Sequence, residues 1–158
     1  MSALRIVVFG SPAPQGSKKF VGLNKEGRGI LAESSKKVKP WRQDVKLAAE
    51  RARDGAAALD GPLVVRMVFT LPKPASSPKR RKTWAMRKPD LSKLARSTED
   101  ALTDAGLIAD DARIVEYERL AKVFPGEDPE ALEVPGVRIE IRPLIAEVTR
   151  ELFASAAA

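Results

Sequence analysis

Three aspartates stand where this chain could do chemistry. Asp90 follows a proline and opens an amphipathic stretch, and Asp110 and Asp111 sit side by side just before an apolar run. The chain contains neither cysteine nor histidine. That removes thiolate zinc sites, cysteine nucleophiles, the serine–histidine–aspartate triad and the commonest metal ligand. Catalysis must therefore run on carboxylates, lysine, arginine, serine or tyrosine, or on a hard cation held by oxygen atoms. A magnesium ion held by two or three carboxylates can activate water and bind phosphate oxygens, while a nearby cation stabilises the charge that develops. Arg96 is the candidate for that cation, because positions 92, 96 and 100 share one helix face. Ser92 has no neighbouring histidine and is a poor nucleophile.

Each residue also has an ordinary reading. Asp90 is well placed to cap a helix. An Asp-Asp pair in a turn is usually solvated. Arg96 and Asp100 would form a surface ion pair worth little.

The net charge is +7, with 28 basic and 21 acidic residues. The excess is local. From Thr70 to Pro89 there is no acidic residue, and the window holds Lys73, Lys79, Arg80, Arg81, Lys82, Arg87 and Lys88. A second basic stretch runs through Lys18, Lys19, Lys25, Arg28, Lys36, Lys37 and Lys39. Clustered positive charge favours a polyanion, whose counterions it displaces. Trp84 adds an aromatic face on which an exposed base could stack. A solvated basic face is the plain alternative.

The elements that must position these residues follow from hydrophobic spacing. Leu4 to Phe9 suits a buried strand, and "GSPAPQGSKKF" a loop. Phe20 to Leu31 allows a glycine-rich hairpin. Pro40 to Arg53 reads as a helix ended by Gly55, with Trp41, Val45, Ala48 and Ala52 on one face. "GPLVVRMVFTLP" is a strand between proline punctuation. Asp90 to Ala105 is the clearest helix, with Asp90 at its cap and Gly106 past its end. Arg113 to Phe124 reads as a strand, "PGEDPEALEVPG" as an acidic loop, and Val137 to Ile141 as a half-buried antiparallel strand. Leu144 to Phe153 suggests a weak amphipathic helix before a frayed tail. The order implies an α+β fold, α/β mixed, in which a mixed or mostly antiparallel sheet packs against helices. One domain over residues 1–145, with a C-terminal helix and tail over 146–158, fits the length. No apolar run approaches a membrane span and the start is a poor signal peptide, so a cytoplasmic setting is expected.

A helix from Asp90 to Ala105 is about 24 Å long. The steps from Ala105 to Asp111 cover about 20 Å if extended. The acidic pair could thus run back toward Asp90 or reach the site of a partner chain.

The segment "RKPDLSKLARSTEDALTDAGLIADDARIVEYERLAK" resembles the signature region of the RusA family of Holliday junction resolvases. That region has a basic loop, D-L-D-N-L, a helix carrying a lysine, an A-L-T-x-A-G helix end and D-D-A-x-V-V. The matching stretches are "PDLSKL", "DALTDAG" and "DDARIVEYERLAK", within residues 87–122. Outside them the chain agrees in element order only.

The resemblance implies a single RusA-like domain over 1–145. It also implies a homodimer that cuts four-way junctions or other branched DNA with Mg²⁺ or Mn²⁺, in recombination and repair. Small nucleases of this type are typical of phages and prophages. Carried over by position, Asp90 and Asp111 would be catalytic aspartates holding the metal, with Asp110 a further ligand and Arg96 standing where the family has an essential lysine. Lys79, Arg80, Arg81, Lys82, Trp84, Arg87, Lys88, Lys93, Lys18 and Lys19 would contact DNA. The chain departs from the pattern at Ser92, where the family has a second aspartate, and at Lys93, where it has asparagine. Losing that carboxylate should weaken metal binding, unless Glu99, Asp100 or Asp110 is recruited. Arginine in place of lysine can stabilise charge but cannot act as a general acid. Three readings follow: a metal-dependent, structure-selective endonuclease, a catalytically weakened protein that only binds branched DNA, and a basic structural or ribosome-associated protein.

Overall fold

Alternation along the strands sets which way each side chain points. In β4 (Leu63–Thr70), Leu63, Val65, Met67 and Phe69 face one side and join the main hydrophobic core. In β6 (Gly136–Pro143), Val137, Ile139 and Ile141 do the same, while Arg138 and Arg142 face away from that core and keep contact with solvent. In β1 (Leu4–Phe9), Ile6 and Val8 are buried. With β5 (Ile114–Val123) these strands form one four-stranded sheet in the order β1-β6-β4-β5. The β1–β6 and β6–β4 pairings are antiparallel and β4–β5 is parallel, so the sheet is mixed.

The computed structural model describes residues 2–16, 18–33, 36–144 and 154–156, with the side chains of 18, 19, 32 and 33 left out of the description. Most of the expected helix Leu144 to Phe153 therefore lies outside the described residues. Among the described residues no helix is long and apolar enough to cross a membrane.

Two helices cover one face of the sheet. In α1 (Val38–Arg53), Val38, Trp41, Val45 and Ala49 are buried. The helix begins two residues before Pro40, and its exit is already left-handed at Asp54, one residue before the expected Gly55. In α2 (Leu91–Asp104), Leu94, Ala95, Ser97, Thr98, Ala101 and Leu102 are buried. The helices pack together, and the Trp41 indole N–H donates to Thr98 Oγ1 at 3.2 Å inside their interface. Gly106 follows α2 with φ of +68°, a left-handed exit that glycine takes without strain. Because β4 and β5 are parallel, the chain must cross over between them, and α2 is that crossover.

The opposite face of β4 carries Val64, Arg66, Val68 and Thr70. Residues 124–135, the acidic loop, fold over it. Arg66 pairs with Glu118 at 3.3 Å and Glu130 at 2.7 Å, and the Arg119 guanidinium grips Asp128 at 2.6 Å and also meets Glu130. Leu132 N–H donates to Thr70 Oγ1 at 2.8 Å. β2 (Lys18–Leu23) and β3 (Gly29–Glu33) form a separate two-stranded antiparallel hairpin, broader at both ends than Phe20 to Leu31.

Arg119's hydrogen bonds hold the Asp128 carboxyl at about 2, against the opposing effect of burial. A carboxyl held below its unfolded value contributes stability above the unfolded pKa and loses it as pH falls toward the folded one. Asp128→Asn should therefore cost on the order of 1–2 kcal/mol at pH 7, and the gap to the wild-type protein should close as pH drops from about 4 to 2. Urea midpoints of both proteins across that range check this, and a gap independent of pH would refute it.

Candidate nucleic-acid interface and acidic site

The basic loop is too charged to hold a shape by itself, and it is fixed from outside. Thr83 N–H donates to Glu127 Oε1 at 2.7 Å, and Lys73 pairs with the same carboxylate at 3.2 Å. Lys73 Nζ also donates to the Pro78 carbonyl. At the loop's far end Lys122, from β5, donates to the carbonyls of Arg87 at 2.8 Å and Pro89 at 2.9 Å. Burial raises the Glu127 pKa, but the bonds from Thr83 and Lys73 outweigh it and hold the carboxyl below its usual range.

A second loop, residues 10–16, faces the basic one. Ser97 Oγ donates to the Ala13 carbonyl at 2.6 Å and Gln15 N–H to the Lys93 carbonyl at 2.9 Å, tying it to α2. Gly10 has φ of +149°, a backbone conformation that glycine takes without the strain another residue would meet, where this loop leaves β1. Between the loops lies a cleft of about 1020 Å³. Leu71 and Phe124, which follow the parallel strands β4 and β5, line it, so it opens at the carboxyl ends of those strands. That is where ligands settle on open sheets with parallel strands.

Six of the expected DNA contacts meet at this cleft: Arg81, Lys82, Trp84, Arg87, Lys88 and Lys93. Lys79 and Arg80 line an adjacent hollow against the acidic loop. The backbone of Lys18 and Lys19 starts β2, and their side chains are outside the description.

Asp90 lines the cleft, at the N-cap position of α2. Contrary to the sequence expectation, its side chain makes no capping hydrogen bond. The carboxylate turns outward to Lys93, 3.8 Å away, and stays about half exposed. The helix start does not consume it, and among the described residues its ion-pair partner is the half-exposed Lys93 ammonium.

The other acids sit elsewhere. Asp111 begins a single 3-10 turn, Asp111–Arg113, whose preceding residue Asp110 accepts the Ala112 N–H at 2.7 Å. Asp110 thus shapes the turn that presents Asp111. The turn is pinned further by Arg113 on Asp60 at 2.6 Å. Asp111 is close enough to Glu99 of α2 to raise its pKa. Glu99 is nine residues past Asp90, which is about 13 Å along the helix axis. Asp90 and Asp111 therefore belong to different ends of α2 within one chain. Arg96 is exposed between them, one helical turn before Glu99 and Asp100. Asp100 pairs with Arg42 of α1 at 3.9 Å, and among the described residues no ion pair joins it to Arg96, contrary to the sequence expectation.

Glu99 is the site residue that sequence reasoning undervalued. Burial first, then Asp111 and Asp100, push its carboxyl up to about 7, and Arg96 opposes them. Tyr117 of β5 donates its hydroxyl to Glu99 Oε1. The signal was present in the i, i+3 spacing from Arg96, but burial against β5 was invisible. Among the described residues no three carboxylates converge closely enough to hold one metal ion. The side chains nearest Asp111 offer carboxylate oxygens, the donor type that suits a hard divalent cation.

With a folded pKa near 7 against 4.5 in the unfolded chain, Glu99 costs stability as pH rises between those values. Glu99→Gln should raise the melting temperature at pH 8.5, by the equivalent of on the order of 1–3 kcal/mol, and change little at pH 4.5. Thermal melts at both pH values, without divalent ions, decide it. Equal shifts at both would show that Glu99 is not strained.

The sequence model of the endodeoxyribonuclease RusA family matches residues 10–142. That span takes in the cleft, the whole of α2, and the Asp111 turn. No curated protein matches the chain.

Proposed function

Because the chain belongs to the RusA family of endodeoxyribonucleases, we propose that it resolves four-way (Holliday) junctions or similar branched DNA, as a homodimer using Mg²⁺ or Mn²⁺, in phage-type recombination and repair. The observation that carries this reading is the clamped, cation-lined cleft whose lining includes the Asp90 carboxylate, left uncapped at the start of α2. The cations lining it suit a phosphate backbone, and the positive end of α2 adds to their field.

A metal centre would draw on Asp111 and Glu99 at one end of α2 and on Asp90 at the other, with Asp110 holding the turn beneath Asp111. In a dimer, Asp90 from one copy meeting Asp111 of the other would complete a set that one copy leaves divided. A bound divalent cation would supply an activated water and neutralise phosphate charge. Arg96, midway along the exposed ridge of α2, would stabilise charge on the phosphate as it is attacked; it cannot give up a proton. Lys93 would add charge where the family carries asparagine.

A second reading has its own support. Ser92 replaces a family carboxylate, and no three acids converge within the described residues, which suits a protein that binds branched DNA and cuts it slowly or not at all.

A cleavage assay on synthetic four-way junctions with a magnesium titration separates the two. The expected result is cutting of junctions, little cutting of linear duplex, and a loss of about 100-fold or more for Asp90→Asn and Asp111→Asn, with junction binding preserved. Ser92→Asp should lower the magnesium concentration needed for half-maximal rate. Normal cutting by both asparagine variants would show that these aspartates are not the site. No cutting by any form, with tight salt-sensitive junction binding, would favour the binding reading.

A further inference from the structure

The cleft holds more apolar surface than phosphate contact requires. Its walls include Pro12, Pro14, Leu71, Trp84, Met86 and Phe124. Trp84 is 68% exposed and Met86 88% exposed, although both are large and apolar. Apolar groups left open beside a dense field of cations mark a binding face. Asp90 is the single carboxylate among the residues lining the cleft, against cations that include Lys37, Arg81, Lys82 and Arg87. Duplex DNA presents only phosphates and groove edges to such a surface. Exposed aromatic and apolar groups interleaved with cations instead match a strand whose bases have left the stack: bases lie on the ring, and phosphates meet the neighbouring cations. The Lys82 ammonium sits 5.5 Å from the centre of the Trp84 ring, which places a positive charge over the platform itself. At about 1020 Å³ the cleft is at the top of the usual range for ligand pockets, with room for more than one base.

We propose that the cleft receives unpaired bases of a DNA strand, stacked on Trp84, so that the protein selects DNA with locally melted strands beside Asp90. This deepens the junction-cutting reading and rests on it for its setting, since a branch point is where a strand most readily offers unpaired bases. The recognition itself depends only on the cleft.

The test is a titration of the full-length protein at low salt with a chelator present, read in every variant by the anisotropy of a dye-labelled strand and in the wild-type protein also by tryptophan quenching. The probes are a thymidine hexanucleotide and a hexamer of abasic sugar-phosphate units carrying the same charge. Trp41 is 1% exposed and supplies a constant background, so quenching reports on Trp84. The expected result is that the base-bearing strand quenches and binds about tenfold more tightly than the abasic one. Trp84→Ala should weaken binding of the thymidine strand about tenfold and leave the abasic strand within about twofold, with Trp84→Phe restoring most of the loss. Because Trp84 is exposed, its removal should not unfold the protein, and Trp41 emission verifies that. Equal affinity for the two strands, or equal weakening of both in Trp84→Ala, overturns the proposal. Junction cleavage together with equal affinities would remove this pocket and keep the nuclease reading. Base-dependent binding without junction cleavage would do the reverse.

Discussion

A run of like charges repels itself, and a loop made of them keeps one shape only if its neighbours hold it. Glu127 meets this constraint here. Its carboxylate accepts the Thr83 N–H at 2.7 Å and takes the Lys73 ammonium, so the acidic loop grips the middle and start of the basic one. The acidic loop has to be rigid for this to work, and Asp128 and Glu130 tie it to Arg119 and Arg66 on the sheet. Rigidity passes from the strands to the acidic loop, then to the basic loop, and so to the cleft. Lys122 closes the far end, where the loop runs into α2.

The parallel β4–β5 pairing imposes the second arrangement. With α2 as the crossover, the carboxyl end of β4 feeds the cleft and the helix start, and the amino end of β5 carries the Asp111 turn. Cations and Asp90 collect at one end of the helix, while Glu99, Asp100 and Asp111 collect toward the other. Arg96 lies between. Asp90 and Asp111 are thus set apart along the helix within one copy. The single helix cannot be made shorter.

Much of this was readable from residue order. Alternation in β6 and the apolar stripe of α2 name their buried faces correctly, because burial on one face leaves a period in the sequence. The hairpin and the loop–helix boundary at Asp90 follow from glycine and proline placement. What stayed hidden depends on long-range partners. Nothing near Glu127 says that it holds Thr83, 44 residues away. Nothing near Lys122 says that it clamps the Arg87 and Pro89 carbonyls. Asp110 and Asp111 look alike in sequence, yet a backbone bond two residues on commits the first to the turn and leaves the second outward. The suitability of Asp90 for a cap hid the fact that its side chain does not cap.

The β2–β3 hairpin stands as an energetic unit of its own. Phe20, Val21, Leu23 and Leu31 remain largely solvent-exposed, and none of them belongs to the main core. Two strands alone are marginally stable in water. The ladder can therefore open without cost to the sheet or to α2, and its amide protons should exchange with solvent long before those of β4. Such an arm can change its pairing or lengthen its tip while the helices and sheet that carry Asp90 and Asp111 keep their geometry.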